Sequence, residues 1–312
     1  MKKPGLTFQP MRRMLSGAAM LSASIAASML LSVTTQAQEA IDVSGWGTGE
    51  VEAVPIHEGR PWGWAVKDFM ENPDRTLYNT AKAKLLRGEQ IFSHSISEFD
   101  IERYCEEAPD YDYTWFEMQH STLRYDEVED MIAACPNVGA TPILRLPDAS
   151  EGAVQKAMDM GMLGIIVPTV NDAIQAREAA RYARYPPIAR RSAGGGQGPG
   201  LWRPFLPEGE TNDNMLVAVM IETVEGVNNA LEIASVPGVD VVLIGNADLS
   251  SFSGLAQDSP EYRDLQIKVR NATYRAGKIW ANASTRMAEG TPLSEESLMY
   301  LLGPSISQRA GQ

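Results

Sequence analysis

The chain has 312 residues, enough for one large α/β domain and too many for a single small one. With 44% hydrophobic and 21% charged residues it has the make-up of an ordinary globular protein, which excludes a disordered chain or a repeat array. The formal net charge of −13, with no basic patch carrying interleaved aromatics, excludes nucleic acid as a partner.

The first residues read as a leader. Lys2, Lys3, Arg12 and Arg13 are positive, Met14 to Val33 is apolar and small, and Thr35-Gln36-Ala37 is a small-x-small site. This is the layout of a secretory signal peptide over residues 1–37. An uncleaved membrane anchor is disfavoured, because Gly17, Ser22, Ser24, Ser28 and Ser32 dilute the apolar stretch. Cleavage removes four positive charges and no negative ones, taking −13 to −17, and leaves a periplasmic or secreted protein. No later segment is apolar enough to span a bilayer, so no membrane partner is expected after cleavage. Residues 38–75 read as an irregular arm: Gly45, Gly47, Gly49, Pro55, Gly59, Pro61, Gly63 and Pro73 punctuate it too often for a regular element. Trp46, Trp62 and Trp64 suggest that the arm packs on something.

From Asn79 onward, short apolar runs alternate with helical patterns. Strands are predicted at Ile91–Ile96, Tyr113–Met118, Thr141–Leu146, Leu163–Pro168, Leu216–Ile221, Val239–Ile244, Lys278–Ala283 and Leu298–Leu302. Helices are predicted at Glu98–Glu107, Tyr125–Ala134, Gly152–Asp159, Ala173–Tyr182, Val227–Ile233 and Pro260–Ala276. Wholly apolar strands joined by crossover helices mean a parallel sheet buried on both faces. Eight of them within residues 76–312 fit a closed (β/α)8 TIM barrel, with the last helix short or missing. The alternative, an open doubly wound sheet, would show an early glycine-rich turn, and none is present.

In such a barrel the chemistry sits at the C-terminal strand ends. Strand two ends in Glu117-Met118-Gln119-His120, strand three in Arg145, strand five in Glu222, and strand six runs into Gly245-Asn246-Ala247-Asp248. His94 falls near the end of strand one. Each residue alone has a bland reading as a cap or loop contact. Together, separated carboxylates beside an arginine and a histidine suit a divalent cation and an anionic substrate.

Val219-Met220-Ile221-Glu222-Thr223-Val224-Glu225-Gly226, then Gly238-Val239-Asp240, then Ile244-Gly245-Asn246-Ala247-Asp248-Leu249-Ser250 and Gly254 resemble the HpcH/HpaI aldolase family of metal-dependent pyruvate aldolases. Ile166-Val167-Pro168 with Ala173, Arg184-Tyr185-Pro186-Pro187, and Asn79-Thr80-Ala81-Lys82 through Gly88 follow the same pattern, so the resemblance covers roughly Asn79 to Ala283. It implies a lyase that cleaves or forms 4-hydroxy-2-oxo acids through a pyruvate enolate. Glu222 and Asp248 would ligate a divalent cation (Mg2+, Mn2+ or Co2+), which polarises the 2-oxo acid. Arg145 would hold the developing charge on the keto oxygen. His120, paired with Asp159 across a contact in a homo-oligomer, would serve the base through water, with His94 next in line. Backbone amides around Gly245 and Ala247 would meet the substrate carboxylate.

Some positions depart from the family pattern. Glu117-Met118-Gln119-His120 stands for the usual Asp-Gly-Glu-His, so a glycine and an acid are replaced. Ile188-Ala189-Arg190-Arg191-Ser192 follows Pro187 where Gly-x-Arg-Gly is expected. The rival function is an exported 2-oxo acid binding protein on a retained barrel. A citrate-lyase-like enzyme of CoA thioesters is disfavoured by export. Cys105 and Cys135 show no metal spacing. They fall near the ends of consecutive helices that run side by side, so a disulfide between them is expected in an oxidising compartment. The competing outcome is two thiols facing different neighbours.

Overall fold

The computed structural model describes residues 71–72, 77–186, 189–194, 197–198, 201, 208–283, 293 and 296–311, all within the compact unit of residues 42–312. The expected signal peptide and, apart from Glu71 and Asn72, the expected arm lie outside the described residues.

The strands are β1 Ile91–Ile96, β2 Tyr113–Glu117, β3 Thr141–Arg145, β4 Gly164–Val167, β5 Leu216–Ile221, β6 Val241–Ile244, β7 Ile279–Asn282 and β8 Met299–Tyr300. Their order in the sheet is β7-β6-β5-β4-β3-β2-β1-β8, with every paired neighbour parallel. The Leu298 amide donates to the Trp280 carbonyl at 3.2 Å, bringing the edge at β7 to the start of β8 and nearly closing the ring. The fold is a (β/α)8 barrel.

Side chains alternate along each strand, so two apolar layers form. Tyr113, Trp115, Ile143, Ile166, Ala218, Met220, Val241, Leu243 and Ala281 fill the interior. Phe116, Leu144, Ile165, Val167, Val217, Val219, Val242 and Trp280 pack outward against the helices. The same alternation fixes the mouth: Glu117, Arg145, Glu222 and Gly245 continue the inward-facing series of Trp115, Ile143, Met220 and Leu243.

The N-terminal face of the barrel is closed by a helix at Thr80–Leu86, whose Ala81 and Leu85 join the interior layer. Periodicity does not reveal this helix, because buried residues (Ala81, Lys82, Ala83, Leu85) lie on more than one side of it. Three separate stretches of the family-like pattern meet at this end. Lys82 Nζ lies 3.1 Å from Asp240 Oδ1, and Arg184 Nη2 lies 3.1 Å from Asp240 Oδ2. Both cations also donate to the Met215 carbonyl, at 2.8 and 3.2 Å. Burial alone would raise the Asp240 carboxyl, but Lys82, Arg184 and the Val217 amide hold it below its ordinary value. These motif residues therefore serve the fold.

Cys105, in the helix Ile101–Glu107, and Cys135, capping Tyr125–Ala134, form the expected disulfide, with Cα atoms 5.7 Å apart. The predicted helix over Val227–Ile233 is two helices, Val224–Asn228 and Ala230–Ser235, divided at Asn229. Among the described residues, Glu208–Asn214 and Asn246–Ser253 are helices that the sequence does not predict, and Ile306–Ala310 is the short last helix. Among the described residues no helix is long and apolar enough to cross a membrane.

Candidate active site

Arg145 stands between two acids at the barrel mouth. Its Nη1 lies 3.4 Å from Glu117 Oε2 and its Nη2 lies 3.2 Å from Glu222 Oε1. The Arg145 side chain is 11% exposed and the Glu222 side chain 1%, so solvent screens this ion pair weakly. Burial pushes the Glu222 carboxyl above its ordinary value; hydrogen bonds from Thr169 and the charge of Arg145 pull it back, and the like charge of Asp248 adds to the push.

Glu222 is clamped from three sides. Its Oε2 accepts from the Thr169 amide at 2.7 Å and from the Thr169 hydroxyl at 2.8 Å. Its Oε1 accepts from Arg145. Its third side is Gly245: a Cβ there would lie 2.7 Å from Glu222 Cγ and 3.0 Å from Cδ, so only glycine leaves room. The Gly245 amide donates to the Ile221 carbonyl at 3.2 Å. Gly245 therefore contributes space and not the free amide expected from the sequence.

The helix Asn246–Ser253 begins at this point, with Gly245 as its N-cap and Asp248 in its first turn. The amides of Asn246, Ala247 and Asp248 have no carbonyl of their own helix to donate to, which suits an anion. Ala247 is exposed and Asp248 half-buried, so both border the mouth. Asn246 anchors the turn: its Nδ2 donates to Asn282 Oδ1 at 2.5 Å, and its Oδ1 accepts from Tyr262 and Gln266, each at 2.9 Å.

Glu117 is equally engaged. Oε2 accepts from the Trp115 indole at 3.0 Å as well as from Arg145; Oε1 accepts from the amides of Gln119 at 2.8 Å and His120 at 3.1 Å. The turn carrying His120 is thus wrapped around the Glu117 carboxylate, leaving the His120 side chain exposed beside the mouth. Met118, where the family has glycine, keeps ordinary backbone and packs into the outer core. Two buried polar atoms at the mouth have no hydrogen-bond partner among the described residues, the donor Arg145 Nε and the acceptor Gln119 Oε1.

Two residues lie elsewhere. Asp159 ends the helix Glu151–Asp159, at the N-terminal face of the barrel, where its Oδ1 lies 3.1 Å from Arg191 Nη2. Within one chain it is not brought to His120. His94 sits inside β1 and faces outward, its Nε2 3.3 Å from Glu107 Oε2 and its ring against Tyr111. Burial pushes its imidazole below its ordinary value, outweighing the attraction of Glu107. The reading of His94 as an alternative base is corrected: strand alternation turns it away from the mouth. Thr169 and the anchoring role of Asn246 escaped the sequence reading. The signal for Thr169 was the Pro168-Thr169 step at a strand end, which carries no acid or base to draw the eye.

The sequence model of the HpcH/HpaI aldolase/citrate lyase family matches residues 104–284, more than half of the chain. The chain belongs to this family. The HpcH/HpaI fold is also seen in the crystal structure of an HpcH/HpaI aldolase from Desulfitobacterium hafniense DCB-2, with a TM-score of 0.64 at 26% identity, covering 74% of this chain and 92% of that one. Among characterised relatives, a 2-dehydro-3,6-dideoxy-6-sulfogluconate aldolase of Pseudomonas putida is 30% identical over 172 residues, 54% of this chain and 66% of the relative. A 4-hydroxy-4-methyl-2-oxoglutarate aldolase of Hapsidospora irregularis is 36% identical over 177 residues, 54% of this chain and 65% of the relative. The chain therefore spans just under two thirds of the length of these two relatives.

Proposed function

We propose that this HpcH/HpaI family member is a divalent-metal-dependent carbon–carbon lyase that cleaves or forms 4-hydroxy-2-oxo acids through a pyruvate enolate. The observation that carries the reading is Glu222, a carboxylate buried at the barrel mouth with a like charge, Asp248, acting on it. Arg145, shared with Glu117, offsets only part of the charge of these carboxylates, so burial and like-charge repulsion call for a further counter-charge, and a two-carboxylate, all-oxygen site suits Mg2+, Mn2+ or Co2+. Glu222 and Asp248 would hold the cation. Among the described residues no third His, Cys, Asp or Glu joins them, and such ions accept substrate and water oxygens for the rest of their shell. When bound, the metal supplies Lewis-acid polarisation of the keto group.

The chain's own residues do the remainder. Arg145, fixed between two carboxylates, would donate to the keto oxygen as charge builds there. The first-turn amides around Ala247 would orient the substrate carboxylate. His120, on its exposed turn, would move the proton through a water. Its pairing with Asp159 requires a second copy of the chain, and a homo-oligomer is part of this reading. The relatives named for aldol cleavage of 2-oxo acids support the substrate class. Export of the mature protein to the periplasm or beyond is supported by the leader-like residues 1–37 and by the Cys105–Cys135 bridge.

The test is pyruvate release from a panel of 4-hydroxy-2-oxo acids with Mg2+, Mn2+ or Co2+ added. The reading expects turnover that a chelator abolishes. Tight binding of 2-oxo acids without turnover under any of these metals would refute it in favour of a binding protein.

A further inference from the structure

Thr169 holds a backbone conformation that costs energy. Its φ is +52°, in the left-handed region that β-branched residues avoid. Among the described residues the other non-glycine with positive φ is Asn137, a residue type that tolerates this region. A glycine at position 169 would remove the strain and still donate its amide. What glycine cannot supply is the hydroxyl, and that hydroxyl donates to Glu222 Oε2.

The surrounding loops keep the strained residue in place. The Val170 amide donates to the Met220 carbonyl at 2.9 Å, locking the end of β4 to β5. The Thr223 hydroxyl donates to Asn171 Oδ1, and the Asn229 amide group donates to the Asn171 carbonyl at 2.8 Å. Gly226 lets the Val170 carbonyl approach: a Cβ there would lie 2.8 Å from that oxygen. Thr223 and Gly226, two residues of the segment that carries Glu222, thus brace the neighbouring loop against Glu222.

A carboxylate oxygen has two in-plane acceptor positions. Thr169 fills both on Oε2 with its amide and hydroxyl. Oε1 faces Arg145 and Gly245, with acceptor capacity left. We propose that Thr169 is a positioning residue that directs Glu222 to bind a divalent cation through Oε1 alone. The inference rests on the metal reading above.

The test measures Mn2+ affinity by calorimetry for wild type, Thr169→Ser, Thr169→Val and Thr169→Gly, with crystal structures of the metal-free variants. Hydrogen-bond partners of metal-binding carboxylates typically contribute about 10- to 100-fold in affinity. Thr169→Val and Thr169→Gly should each lose at least tenfold, although glycine relieves the strain, and Thr169→Ser should stay within threefold. Glu222 should turn in the valine and glycine variants, freeing Oε2. Affinities within threefold of wild type for both valine and glycine variants overturn the proposal. Wild-type protein that takes up no Mn2+ refutes the metal reading and, with it, the cation role. The carboxylate of metal-free Thr169→Gly then decides positioning alone: turned supports it, unmoved overturns it.

Discussion

Arg145→Ala removes the guanidinium that bridges Glu117 and Glu222. At 11% exposure this charge is poorly screened, and its two carboxylate contacts aim it before any substrate arrives. Removing one preorganised donor to a developing oxyanion costs about 2.7–4 kcal/mol in the barrier, or roughly 100- to 1000-fold in rate. Arg145→Lys should recover little, because an ammonium cannot present the planar fork that reaches both acids. Cation affinity should move the other way. Loss of a positive charge beside Glu222 and Asp248 makes the local potential more negative, so Mn2+ should bind as tightly as in wild type or more so. The assay is exchange of pyruvate methyl protons with deuterated water, followed by NMR, alongside calorimetry with Mn2+. A rate loss below about tenfold, roughly 1.4 kcal/mol, would refute the assigned role. So would a rate loss accompanied by an equal loss of Mn2+ affinity, which would make Arg145 a prop for the metal site and not a partner of the substrate.

Gly245→Ala should displace the clamped Glu222 carboxylate and lower Mn2+ affinity at least tenfold, as read by calorimetry; unchanged affinity would mean that Glu222 yields freely. Asp240→Asn leaves Lys82 and Arg184 buried beside a neutral amide, and should cost about 3–5 kcal/mol in urea unfolding. Because the Asp240 carboxyl is held below its ordinary value, its contribution is present above the usual carboxylate range and fades as pH falls through the lowered value, so wild type should lose stability with acid more steeply than Asp240→Asn. Reduction of the Cys105–Cys135 bridge should raise the intact mass by two hydrogens and destabilise the fold by about 3–4 kcal/mol, the loop-entropy figure for 30 residues of separation; an unchanged mass would deny the bridge.

The strands were legible because short runs bounded by apolar residues leave few alternatives: Ile91–Ile96, apolar at Ile91, Phe92 and Ile96, and the wholly apolar Leu216–Ile221 stand as read. Sequence pattern extends β2, β3 and β4 to Met118, Leu146 and Pro168, one residue beyond where each strand ends. Met118 and Leu146 are buried and their amides still reach the neighbouring strand, so their composition resembles that of the strand proper. The missed helices fail for separate reasons. Thr80–Leu86 buries several sides, Asn246–Ser253 buries only Leu249, and Glu208–Asn214 is rich in Gly, Thr, Asn and Asp, poor helix formers. At the site, charged residues were visible because strand ends in a barrel point to one mouth. Thr169, Gly245 as a space-maker and Glu117 as an anchor were not, since their work is to shape and hold their neighbours, and only coordinates show who those neighbours are.

Pyruvate formation from 4-hydroxy-2-oxo acids, measured for wild type, Glu222→Gln and Asp248→Asn with and without added Mn2+, tests the central claim most directly. The account predicts metal-dependent pyruvate release by wild type, and loss of both Mn2+ binding and release in each folded variant. Pyruvate release that persists in either variant with wild-type Mn2+ affinity would contradict it.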